Sequence, residues 1–168
     1  MSAAASSPAL AVLVREATDR LARLARIAAP PVLRIALAVP FFRSGLTKWD
    51  GVLSLSPSAI YLFEDEFKLH LFGQAYDFPW PAAFACLDGV AEIVLPVLLA
   101  AGLATRFSAL MLLVMTGIIQ LVVPEGWANF HLPWAAMALA IIALGPGPFS
   151  IDRLVASFSR QAEAIDGQ

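Results

Sequence analysis

PWPAAFACLDGVAEIVLPVLLAAGLAT, residues 79–105, decides how this chain folds: the stretch is apolar over a bilayer-crossing length, yet it carries Asp88 and Glu92. A helix needs about 20 residues at 1.5 Å rise to cross a ~30 Å hydrocarbon core. An ionised side chain at that depth costs at least ~2.5–3.5 kcal/mol, so such residues face a bundle interior, pair with one another and mark a functional site. A second stretch of the same kind, residues 31–50, carries Arg34 and Arg43. Two further apolar blocks follow, near 107–124 and 127–145. The first is almost uninterrupted Leu, Val, Ile and Met; the second ends where Gly145-Pro146-Gly147-Pro148 cannot continue a helix.

Composition places the chain in the same class, since 60% of its residues are hydrophobic and 14% charged, with a mean hydropathy of +0.76. A soluble domain of this size is not built that way. The expected fold is all-α, an integral membrane four-helix bundle with an N-terminal amphipathic interfacial helix. Its parts are an amphipathic arm over 1–30, the bundle over 31–150 and a tail over 151–168. In the arm, Leu10, Leu13, Val14, Ala17, Leu21, Leu24 and Ala28 recur at helical spacing with Arg15, Asp19, Arg20, Arg23 and Arg26 between them. That pattern reads as a helix lying on the membrane surface, with docking of a cytoplasmic partner as the alternative. Basic residues spread along the segment, and an interruption expected at Pro30-Pro31, set it apart from a signal peptide. A shorter amphipathic stretch recurs at Ile151 to Phe158.

Drawn up-down-up-down, the four spans put Arg15, Arg20, Arg23, Arg26, Arg34, Arg106, Arg153 and Arg160 on one side and leave Arg43, Lys48 and Lys68 to the other. The positive-inside rule then predicts a bacterial inner-membrane protein with both termini cytoplasmic. Between the first two spans, residues 51–78 are too apolar for disorder. Ser56-Pro57 is a helix start, Ile60, Phe63, Phe67 and Leu71 would share one face, and Glu64-Asp65-Glu66 would be solvated beside it. An interfacial helix capping the outer end of the bundle is expected, with a lid over a lateral opening as the sharper version.

Depth arithmetic tests whether the intramembrane charges meet. Counted from Asp50, Arg43 lies about 10 Å down, and Asp88 lies about 12 Å below Trp80, so the two are nearly level. Glu92 is one turn deeper on the face of Asp88. Arg43 is therefore expected inside the bundle, paired with Asp88 or Glu92, while Arg34, on the opposite face, snorkels to the cytoplasmic surface. Such a pair either fixes helix register or handles a substrate or proton. Gln120 and His131 fall in the same outer half, which makes Arg43, Lys48, Asp88, Glu92, Gln120 and His131 the candidate substrate-binding residues. Cys86, the only cysteine, cannot run an internal dithiol cycle and reads as a small core residue. His131 with Glu125 and Asn129 is too sparse for a metal site. Trp49, Trp80, Trp127 and Trp134 read as an aromatic belt. No phosphate-cradling loop, haem-attachment motif, nucleophile elbow or nucleic-acid stripe is present.

Arg34-Ile-Ala-Leu-Ala, Phe42-Arg-Ser-Gly-Leu-Thr-Lys48, Ala91-Glu92 with Pro96, and Gly102-Leu-Ala-Thr-Arg106 together resemble the DoxX family of small four-helix membrane proteins, over about residues 31–155. The resemblance implies a link to quinol oxidation or thiosulfate:quinone oxidoreduction, and for some members to maturation systems. Arg43, Lys48 and Glu92 are carried over as motif residues only; Asp88 rests on depth alone. Two expectations follow. One is a quinone-linked redox subunit acting with a partner oxidoreductase, with Arg43 or Lys48 donating to a carbonyl oxygen and Glu92 or Asp88 exchanging the proton. The other is a non-catalytic membrane partner or assembly factor whose charges only lock the bundle. No covalently bound cofactor is implied; a quinone fits the first expectation.

Overall fold

The computed structural model describes residues 8–166; the first seven residues of the expected arm and the last two of the expected tail lie outside them. The chain is mostly helical, and four of its helical stretches are long and apolar enough to cross a membrane: Ala9–Leu46, Pro81–Ala101, Thr105–Val122 and Pro124–Leu144. The first belongs to α1 (Pro8–Leu46), which runs unbroken through Pro30, Pro31 and Pro40. The interruption expected at Pro30-Pro31 is therefore absent, and arm and first span are one helix. A proline inside a helix removes one backbone hydrogen bond and crowds the preceding turn. Tertiary packing compensates here, for Pro30 is buried and seated on the turn after the last span. A Cβ added at Gly147 would lie 2.5 Å from the Pro30 Cβ.

Residues 9–28 of α1 are exposed on every side, and the stripe Leu13, Leu21, Leu24 faces outward. Beyond Pro30 the helix gains an inward face. Arg34, Leu37, Ala38, Phe41 and Gly45, spaced three and four apart, are buried, while Val32, Ile35, Val39 and Leu46 point away. That face packs against α3 (Pro81–Ala101), which turns through Gly102 and Ala104 into α4 (Thr105–Val122). Short turns over 124–131 lead to α5 (Leu132–Leu144). Leu37, Phe41, Leu99, Leu112 and Ile141 close the centre of the bundle.

Two close approaches fix how α1 and α3 align. The Arg34 guanidinium occupies the space a Cβ of Gly102 would need, and a Cβ at Gly45 would lie 2.9 Å from the Cβ of Glu92. Glu92 is about 15 Å from Gly102 along a helix of ~31 Å, so α1 ends near mid-height of α3 instead of reaching Asp50. Residues 47–78 fill the remaining height. They form a hairpin of β1 (Trp49–Gly51) and β2 (Ser54–Leu55), α2 (Pro57–Tyr61) extended by a wide turn at Leu62–Glu66, and a hairpin of β3 (Lys68–Leu71) and β4 (Gln74–Asp77). Ser56 and Pro57 start the helix as expected, with Ser56 Oγ accepting from the Ala59 N–H at 3.1 Å, and Glu64-Asp65-Glu66 are exposed. The helix stops there, however, so Phe67 and Leu71 do not continue its face. Phe63 and Phe78 instead form a second core with Ala85.

At the end of the bundle that carries both termini, α6 (Ile151–Asp166) is clipped to the α3–α4 turn. Asp152 accepts from the backbone N–H of Ala104 at 2.7 Å and of Thr105 at 2.9 Å, and its own N–H donates to Gly102 O at 2.9 Å. Burial alone would push the Asp152 carboxyl up, but these hydrogen bonds and the nearby Arg34 charge hold it below the usual carboxylate range. Arg34 is 3% exposed and donates to Phe149 O. It does not snorkel, because α6 and the preceding turn cover it and supply its partner. Arg106 donates to Ile142 O at 3.1 Å and so caps the end of α5.

Candidate functional site

Lys48 sits in the turn that ends α1, two residues past Leu46, and its side chain folds down against α3. A Cβ at Gly89 would lie 3.1 Å from the Lys48 Cβ, so glycine there is what lets the turn close on the helix. The ammonium reaches Asp88 Oδ2 at 2.7 Å and Glu92 Oε2 at 2.6 Å. Asp88 and Glu92 are one helical turn apart and share a face, as their spacing requires. Glu92 is also hydrogen-bonded by the Ser44 side chain. Lys48 and Glu92 are buried, whereas the Asp88 side chain keeps 21% of its surface, which makes it the member that faces the opening. One ammonium against two carboxylates leaves the trio formally one charge negative.

This corrects the pairing expected for Arg43, which is exposed and makes no ion pair among the described residues. The reason is the early end of α1. Arg43 is three residues from that end, about 4.5 Å, and on the face away from α3, while the chain beyond it doubles back and delivers Lys48 instead. Arg34 and Arg43 do lie on opposite faces, but Arg34 is on the inner one. Gln120 and His131 form a pair of their own: His131 Nδ1 and Gln120 Oε1 are 2.6 Å apart, and Gln120 Nε2 donates to Pro124 O at 3.1 Å. Both hold the turn between α4 and α5, and neither lines the cavity beside the trio. Cys86 is exposed on α3 rather than in the core. Of the tryptophans, Trp80 and Trp127 are exposed, Trp49 tucks against Gly89, and Trp134 lies between the ring of Phe41 and that of His131.

Lys48, Asp88, Glu92 and Ser44 are the polar groups on the wall of a half-open cavity of about 660 Å³. Its other walls are apolar side chains of α1, α3 and α4, with Trp134 from α5, and its loop-side end is covered by Phe63, Phe67 and Phe78. These rings pack edge-on, Phe63 against Phe67 and Phe78 with centroids 5.2 Å apart in each case. A cavity of this size and lining, with a few convergent polar groups, suits a mostly apolar ligand that carries a small hydrogen-bonding head. Sequence reasoning missed Ser44, Gly45 and Phe78; Phe63 and Phe67 were expected in a cap over the outer end of the bundle, though on one continuous helix face. The signal for Ser44 and Gly45 was present, because both lie inside the Phe42–Lys48 motif, whose Ser44, Gly45 and Lys48 all meet Glu92.

The DoxX family model matches residues 29–125, which contain the whole trio and most of the cavity wall. An uncharacterized protein of Haemophilus influenzae is 30% identical over 139 residues, covering 74% of this chain and 81% of that protein. No solved structure matches the chain.

Proposed function

The chain belongs to the DoxX family, and from that premise we propose that it is a quinone-linked subunit of the bacterial inner membrane that acts with a partner oxidoreductase. The observation that carries this reading is the trio at the wall of a lipid-depth apolar cavity: a buried ammonium beside two carboxylates, one of them partly open. Lys48 donates a hydrogen bond to a carbonyl oxygen of the head group. Asp88 and Glu92 carry the protons that accompany electron transfer, and the electrons come from the partner. Leu37, Phe41, Leu99, Leu112 and Ile141 fill the bundle between the trio and the polar cluster around Arg34, so proton exchange runs through Asp88, the partly open member of the trio. Both termini are cytoplasmic in this reading, by the excess of basic residues at their end.

The rival, a non-catalytic partner of another membrane protein, draws on the fact that Lys48 and the carboxylates already satisfy one another. Titrating the purified protein with a short-chain quinone separates the two, with Trp134 fluorescence as the readout because that ring lines the cavity. Saturable quenching that weakens in Glu92→Gln is expected. Absence of binding to protein purified together with its partners would favour the rival.

A further inference from the structure

The cavity does not end at the polar trio. On α4 its wall includes Phe107, Met111, Val114 and Ile118, spaced three and four apart and so on one helix face, and it continues to Val123. That is a run of about 24 Å. The opposing wall on α3 includes Leu87, Val90 and Val94. All three are exposed, as are Phe107, Val114 and Ile118, so the slot between α3 and α4 opens sideways at the depth of the hydrocarbon.

Its two ends differ. Towards the loops it is closed by Phe63, Phe67 and Phe78, and its polar wall residues all gather round Glu92. Glu92 is about 15 Å from the α3–α4 turn, which puts it level with Met115 on the antiparallel α4. From there to Phe107 a further ~12 Å of slot has only aliphatic, thioether and aromatic walls. The phenylalanines stop a long tail on the loop side, so a ligand whose head is held at the trio runs its tail along the slot towards Phe107 and out between the helices.

We propose that the α3–α4 slot holds the long hydrocarbon tail of a quinone-type amphiphile, which enters from the bilayer sideways and not from the aqueous loop side. The proposal rests on the quinone reading of the trio and adds where the tail lies and from which side the ligand enters. Tail contacts here replace contacts with lipid, so they position the ligand more than they tighten it.

The test is cross-linking in nanodiscs with the full chain and whatever partners co-purify. The probe is a benzoquinone whose isoprenoid tail is cut to the ~12 Å of slot below the trio and ends in a diazirine. Adducts are expected on α4 at Phe107 to Met111 and on α3 near Val94, and unlabelled tailed quinone should abolish them. Met111→Trp, which fills the slot, should lose these adducts, whereas Ile35→Trp, in the shallow groove between α1 and α3, should keep them. Adducts scattered over all lipid-facing positions would overturn the slot, a result that wild-type protein gives even if Met111→Trp does not fold. Adducts confined to the slot but equally abundant with a phosphocholine head in place of the quinone would overturn the quinone reading and make a phospholipid the occupant.

Discussion

Lys48 faces two carboxylates across 2.6 and 2.7 Å in a site closed to water on most sides, and the cost of losing it follows from what it leaves behind. Removing one partner of a buried pair strands the other charge, at ~3–5 kcal/mol. Lys48→Ala should therefore lower the melting temperature in detergent far more than Arg43→Ala, whose side chain is exposed. Glu92→Ala added to Lys48→Ala should cost much less than the sum of the single losses; strictly additive losses would mean the residues do not interact. The sequence carried the ingredients of this site but not its pairing. The i, i+4 spacing put Asp88 and Glu92 on one face, and the step of nine from Arg34 to Arg43 put those two on opposite faces. Which arginine faced inward depended on where α1 ends. Counting to Asp50 placed Arg43 deep and Lys48 at the surface; ending at Leu46 reverses them.

Elements stop where local chemistry or a neighbour stops them, and both are visible around α6. Asp152 caps the start of α4 from a different helix and holds α6 to the bundle. Its carboxyl lies below the usual range in the folded chain, so the unfolded chain takes up the proton first as pH falls. The clip is thus fully in force above the unfolded value of about 3.9 and is lost as pH drops through the lower folded value. Wild type should exceed Asp152→Asn in melting temperature at neutral pH, and the gap should narrow below about pH 4; a gap independent of pH would show that the charge is not what matters. The cap was not legible in advance, since its donors and acceptor are 47 and 48 residues apart. The β3–β4 hairpin was hidden for a different reason. Its two turn residues, Phe72 and Gly73, both have positive φ, the geometry usually announced by Asn-Gly, and a phenylalanine in the first place masks it. The long spans, whose apolar periodicity is local, were legible to within a few residues at their loop-side and turn ends.

At the scale of the whole molecule, four spans bring both ends of the described chain to one side, and there α1 meets the turn before α6 through Arg34 and the Phe149 carbonyl. The hairpins, α2 and the α4–α5 turn occupy the other. Charge divides the same way. Arg34, Arg106 and Arg153 are at the terminus end with the arginines of the arm, while the loop end shows Glu64, Asp65, Glu66 and Asp77, with Lys68 paired to Asp77 at 2.7 Å. Basic residues near span ends are retained on the cytoplasmic side, and acidic ones contribute little to orientation, so the arginines decide it. The prediction is that the hairpins face away from the cytoplasm. Cys86 is exposed on α3 and must first be replaced by Ala. On that background Gln74→Cys, in β4, should react with a membrane-impermeant thiol reagent in intact cells, and Arg153→Cys, in α6, only after the membrane is opened. The reverse pattern would turn the molecule over and place the proton exchange of Asp88 on the cytoplasmic side.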